Sequence, residues 1–136
     1  MPEVTLAHKS ALATVILAVA VSQLGLIGAG RGWWLSLSSR GRLKAVKAHR
    51  AAGYAGLLLI FIIAYYCVFV FGSTGTIRSA IHAFLGASVV MLVTVKVMVA
   101  RVFRGYLQRL PVLGVALAAA ITGAWATSAL WYFIYF

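Results

Sequence analysis

Four long apolar runs divide this chain, and basic or glycine-bearing breaks set them apart. They extend from about Ala11 to Gly30, Ala48 to Gly72, Ser79 to Ala100 and Leu110 to Phe136, the third interrupted only by Lys96. Roughly 20 apolar residues cross a bilayer. A span surrounded by lipid has to pair its own backbone groups, which a helix does. The pattern therefore predicts four membrane helices. Gly28-Ala29-Gly30-Arg31-Gly32 marks the exit of the first, and Gly72-Ser73-Thr74-Gly75 a tight turn between the second and third. Arg104-Gly105 and Pro111 bracket the third connection. Short connections make successive helices antiparallel neighbours. The expected fold is all-α, a single up-down four-helix membrane bundle over residues 1–136.

Composition agrees, with 64% of the residues hydrophobic against about 45–50% in soluble proteins. The net charge of +11 does not point to nucleic acid, because its carriers cluster between the spans. Arg31, Arg40, Arg42, Lys44, Lys47 and Arg50 surround the first connection, and Arg101, Arg104 and Arg109 the third. Only Lys9 and Arg78 lie at the other level. The positive-inside rule makes the basic side cytoplasmic and puts both termini outside. Trp33-Trp34 at one interface and Trp131, Tyr132 and Tyr135 at the other fit the aromatic belts of a multi-pass protein of a bacterial inner membrane. Lys9 and the run to Ala20 loosely resemble a signal peptide, but the apolar stretch continues to Ile27, so an uncleaved first span is expected.

Glu3 is the only acidic residue, which argues against carboxylate proton relays and acid–base hydrolysis. Cys67 is the only cysteine. It allows no internal disulfide or c-type haem attachment, and a small apolar filler is the expected role.

Two histidines stand out, in His49-x-x-x-Gly53 and His82-x-x-x-Gly86. Histidine within a membrane span is a functional candidate. A glycine four residues on lies one turn away on the same helical face. It leaves that face bare, so a flat ring can lie beside the imidazole. Haem is such a ring, and His49 and His82 are the candidate iron ligands. His49 enters the second helix from the basic side, whereas His82 lies about one turn into the third from the opposite side. The second helix carries the chain about 30 Å between those levels, so the two cannot clamp one haem. Two separate sites are expected, for one or two b haems. Tyr65, Tyr66 and His8 are candidate second ligands near His82, and Met98 near His49. Lys96 and Arg50 are candidate partners of a haem propionate or a quinone oxygen. Snorkelling is the plain alternative for Lys96, an interfacial role for His49, a hydrogen bond to a neighbouring helix for His82, close helix packing for the glycines, and interhelical hydrogen bonding for Gln23, Ser22, Thr122, Thr127 and Ser128.

The sequence resembles a family of small bacterial four-helix membrane proteins through most of its length. The resemblance is carried by His49-Arg50-Ala51-Ala52-Gly53, Ala64-Tyr65-Tyr66-Cys67, His82-Ala83-Phe84-Leu85-Gly86, Lys96-Val97-Met98 and Thr127-Ser128-Ala129-Leu130-Trp131. The layout also resembles cytochrome b561-type haem-binding domains. In the family pattern a histidine often stands where this chain has Tyr66, which implies an outer bis-histidine site that this chain has lost. The resemblance implies an electron-transfer ancestry. The expected function is a small b-type cytochrome-like subunit that anchors and passes electrons within a larger membrane redox complex, with lipids, other subunits and quinone as partners. A non-catalytic role fits better than an enzyme. The alternatives are a haem-free accessory subunit of a respiratory or photosynthetic complex, and a pigment-binding antenna subunit.

Overall fold

The computed structural model describes residues 2–33, 36–71 and 75–135. Helix α1 covers Pro2–Arg31, and α2 covers Ser39–Tyr65 and continues as a π-helical turn over Tyr66–Phe71. Helix α3 covers Ile77–Arg101. A 3-10 segment, Arg104–Arg109, leads into α4 at Leu110–Trp125. A second π turn, Ala126–Leu130, joins α4 to α5 at Trp131–Tyr135. The four helical runs are each long and apolar enough to span a membrane. The protein is an all-α four-helix membrane bundle.

The helices reach further than the apolar runs that predict them. Helix α1 starts nine residues before Ala11, so His8 lies inside the helix rather than ahead of it. Proline is well suited to the first helical position, and nothing after Pro2 breaks the helix. Helix α2 starts at Ser39, not Ala48, because Ser38 caps it by accepting from the Gly41 amide at 3.3 Å. Arg40, Arg42, Lys44 and Lys47 therefore sit on a helix rather than in a loop. Lysine and arginine are good helix formers, and their charge decides where the membrane ends, not where the helix does. Trp34 and Gly72-Ser73-Thr74 lie outside the described residues.

Of the three glycines read as the exit of the first helix, only Gly32 makes the exit. Its φ is +74°, its amide donates to the Ala29 carbonyl at 3.1 Å, and the Trp33 amide donates to Gly28 at 2.8 Å. This is the paired bonding of a Schellman end, where a left-handed residue is needed. Gly30 remains helical and lets α2 approach, since a Cβ there would stand 3.0 Å from Val46 Cγ2.

Helix α1 packs along α2 and against α4, and α3 packs along α4. The seam between α2 and α3 is the loosest of the four. Ile16, Ile60, Val89, Val93, Leu117, Ala120 and Ile121 form the core where all four helices meet. A Cβ on Gly56 would come within 3.2 Å of Val19, and one on Gly123 within 3.1 Å of Leu85, so these glycines set helix spacing. Nothing lies within 4 Å of a Cβ built on Gly86. Gly123→Val should therefore cost about 1–3 kcal/mol by overpacking, while Gly86→Val should leave the unfolding midpoint nearly unchanged. Detergent-denaturation titrations of the two variants check this.

Candidate functional site

The loose seam opens into a cleft at the basic end of the bundle, with a volume of about 1110 Å³. Pockets for cofactor-sized molecules commonly measure roughly 300–1,000 Å³. All four helices line it: Gln23 on α1, His49, Gly53 and Tyr54 on α2, Lys96 and Arg101 on α3, and Gly114 on α4. Arg31, Arg50 and Arg104 also face it, so its mouth is cationic.

His49 is half-buried, and its Nδ1 lies 3.2 Å from the backbone carbonyl of Gln23. A carbonyl can only accept, so Nδ1 carries the proton and donates. In the neutral ring this leaves the lone pair on Nε2, for which no hydrogen-bond partner is found among the described residues. Metal-binding histidines are commonly held this way, with the outer nitrogen fixed to a carbonyl and the other left basic. Gly53, one turn further on, is not a helix-packing glycine. A Cβ there would meet only the Gln23 side-chain oxygen, at 3.6 Å, an ordinary contact. The bare face beside His49 belongs to the cleft.

Lys96 is half-buried within the bundle. Its Nζ is 3.9 Å from the place a Cβ on Gly114 would take, so the side chain crosses from α3 to the backbone of α4. Side chains lean toward the start of their helix, and on α3 that direction leads away from the basic end. The Arg101 guanidinium stacks over the Tyr54 ring at 5.6 Å and bridges α3 to α2 across the loose seam. Arg50 is exposed on the cleft rim.

His82 is built differently. Its Nδ1 donates to the Ala124 carbonyl at 3.1 Å and lies 3.3 Å from Thr127 Oγ1. Its Nε2 faces the Cys67 thiol at 3.9 Å. Cys67 lies in the first π turn and Thr127 in the second. Such turns recur at functional sites because they shift which residue faces inward. Here Cys67, seven residues past Ile60 and on the same helix face, stands against the imidazole. Tyr66 is 47% exposed and makes an edge contact with Tyr65, which in turn stacks on Phe69. His8 is exposed, and Met98 is 45% exposed and does not line the cleft. None of the four candidate second ligands, Tyr65, Tyr66, His8 or Met98, meets a histidine in this fold.

The polar groups expected to join helices mostly do not. Ser22, Thr122 and Ser128 return their hydroxyls to their own helices. Interhelical bonds among the described residues include His82 to Ala124, Thr127 and Cys67, His49 to Gln23, and Trp125 Nε1 to Thr14 Oγ1 at 3.0 Å. Gln23 Nε2 is buried without a partner.

A family profile matches residues 3–136. The chain belongs to DUF6529, a family of unknown function. No curated protein and no solved structure matches this chain. Membership of DUF6529 covers nearly the whole bundle, both histidine motifs included, and carries no activity with it.

Gly53→Ala should raise stability by about 0.5–1 kcal/mol, the usual gain from removing a glycine within a helix, because the new methyl meets no close neighbour. His82→Ala should cost about 0.5–1.5 kcal/mol through the loss of one interhelical hydrogen bond, because the Ala124 carbonyl keeps the Thr127 and Ser128 hydroxyls. Thermal unfolding in detergent checks both signs.

Proposed function

We propose that this DUF6529 chain is a b-type haem subunit, with one haem in the basic-end cleft and His49 as its axial ligand. The observation that carries the reading is His49 itself. Its Nδ1 is fixed to Gln23, its basic Nε2 has no protein partner, and it borders a cleft of about 1110 Å³ next to the bare face at Gly53. Among the described residues no group of three or more histidine, cysteine or acidic side chains converges to hold a metal ion. A bare ion held by protein typically needs three or four ligands, whereas a porphyrin supplies four of its own and asks for one imidazole. Haem would supply one-electron transfer. The chain's own residues orient the ligand nitrogen, leave room for the ring and place cations at the mouth.

The expected role is anchoring and electron transfer within a larger redox complex in a bacterial cytoplasmic membrane, with the basic end inside and quinone as the acceptor class. The layout supports kinship of design with b561-type domains. His82 would need the Cys67 thiol displaced before its Nε2 could reach iron, so the reading holds one haem rather than two. The saturation of His82 by protein groups favours a second reading for the opposite half of the bundle, a structural role in which it only ties α3 to α4.

Purified full-length protein should show b-type bands on dithionite reduction and about one haem per chain. His49→Ala should abolish them, and His82→Ala should leave them in place. Absence of extractable haem, with no bands in protein expressed with ample haem, refutes the proposal.

A further inference from the structure

Lys96 poses a charge problem that the chain cannot solve internally. Its side chain lines the cleft and ends beside Gly114. No hydrogen bond or ion pair to it is found among the described residues. The only acidic residue is Glu3, near the start of α1. Helix α1 runs from there to Arg31 at the basic end, so Glu3 and Lys96 belong to opposite halves of the bundle. The other permanently charged residues that line the cleft are Arg31, Arg50, Arg101 and Arg104, all of the same sign. A partly buried cation among cations needs an anion beside it.

The geometry points to a carboxylate-binding subsite in the cleft, built from the Lys96 ammonium and seated on Gly114. Gly114 is the second half of the device. A methyl there would still leave Nζ at 3.9 Å, but any larger side chain would occupy the space where the ammonium rests. The arginines at the mouth are exposed, so they attract anions without choosing among them. Lys96, deeper and half-buried, discriminates, because a charge pair strengthens as water is withdrawn. The occupant therefore carries a carboxylate at the depth of Lys96 and apolar bulk against the cleft walls. A haem propionate has that chemistry, and so does the carboxylate of a membrane fatty acid. The inference rests on the cleft holding a ligand, and deepens the haem reading by assigning which end of the ligand is gripped.

Full-length protein in neutral phosphatidylcholine nanodiscs allows both sources to be tested. Binding of hemin is compared with hemin dimethyl ester, and binding of oleate with oleyl alcohol. If the propionate is the partner, hemin binds at least about tenfold more tightly than its ester, the difference of one charge-assisted hydrogen bond. Lys96→Met and Gly114→Leu abolish that preference, and Lys96→Arg keeps it. If hemin does not bind but oleate is preferred over the alcohol in a Lys96-dependent way, the subsite stands and the haem reading falls. If hemin binds through His49 with no acid-over-ester preference, or if Lys96→Met leaves the preference intact, the subsite is refuted and the haem reading survives. Lys96→Met removes no protein–protein hydrogen bond, so its thermal midpoint should match the parent. Should it unfold, Lys96→Gln read against Lys96→Arg decides the same question.

Discussion

The contact between α1 and α2 governs this bundle. Gly30 against Val46 and Gly56 against Val19 let two helices approach at both ends of a shared stretch. Between these two points the Gln23 carbonyl comes within hydrogen-bond reach of His49. Drawing α1 and α2 together commits α1 to the centre of the molecule, since it also packs on α4. Helix α3 is held by α4, through Leu85 over Gly123 among other contacts, and has little left to share with α2. The cleft is thus a consequence of where the small residues lie. Three seams are tight, and the fourth opens at the basic end.

The two halves of the bundle handle their histidines in opposite ways. In each, Nδ1 is given to a backbone carbonyl of another helix, Gln23 for His49 and Ala124 for His82. That shared step fixes the tautomer and leaves Nε2 basic. The difference lies in what faces Nε2. For His82 it is the Cys67 thiol, with Thr127 supporting the other nitrogen. For His49 it is open space. Two copies of the same five-residue pattern therefore give one packed tie and one vacant ligand position.

Much of this was legible in the chain. Apolar run lengths give four helices, and a histidine with a glycine one turn on gives a bare face beside an imidazole. The separation of His49 and His82 along α2 also follows from helix rise alone. Helix ends were less legible, because hydropathy reports the membrane boundary while Ser38 and Pro2 set where helices begin. Gln23 was hidden as a partner because its backbone carbonyl, not its side chain, does the bonding, and every residue has one. Cys67 lies seven residues past Ile60, on the helix face turned to the core, but a thiol there reads as an apolar filler rather than as a partner of His82, and Thr127 reads as one of several polar groups free to bond its own helix. Gly114 looks like any other small residue until Lys96 is seen to cross to it.

The loose α2–α3 seam also bears on how the cleft fills. A pocket enclosed on every side loads only when helices part, so its filling rate is tied to the rate of opening. Here the wall between α2 and α3 is the loosest, and the Arg101–Tyr54 contact reaches across the gap at the basic end. An amphiphile already dissolved in the bilayer can slide in sideways while its charged end stays near the headgroups. Occupancy then follows the ligand's concentration in the membrane plane rather than in water, and a compound too insoluble to be measured outside the membrane can still saturate the site.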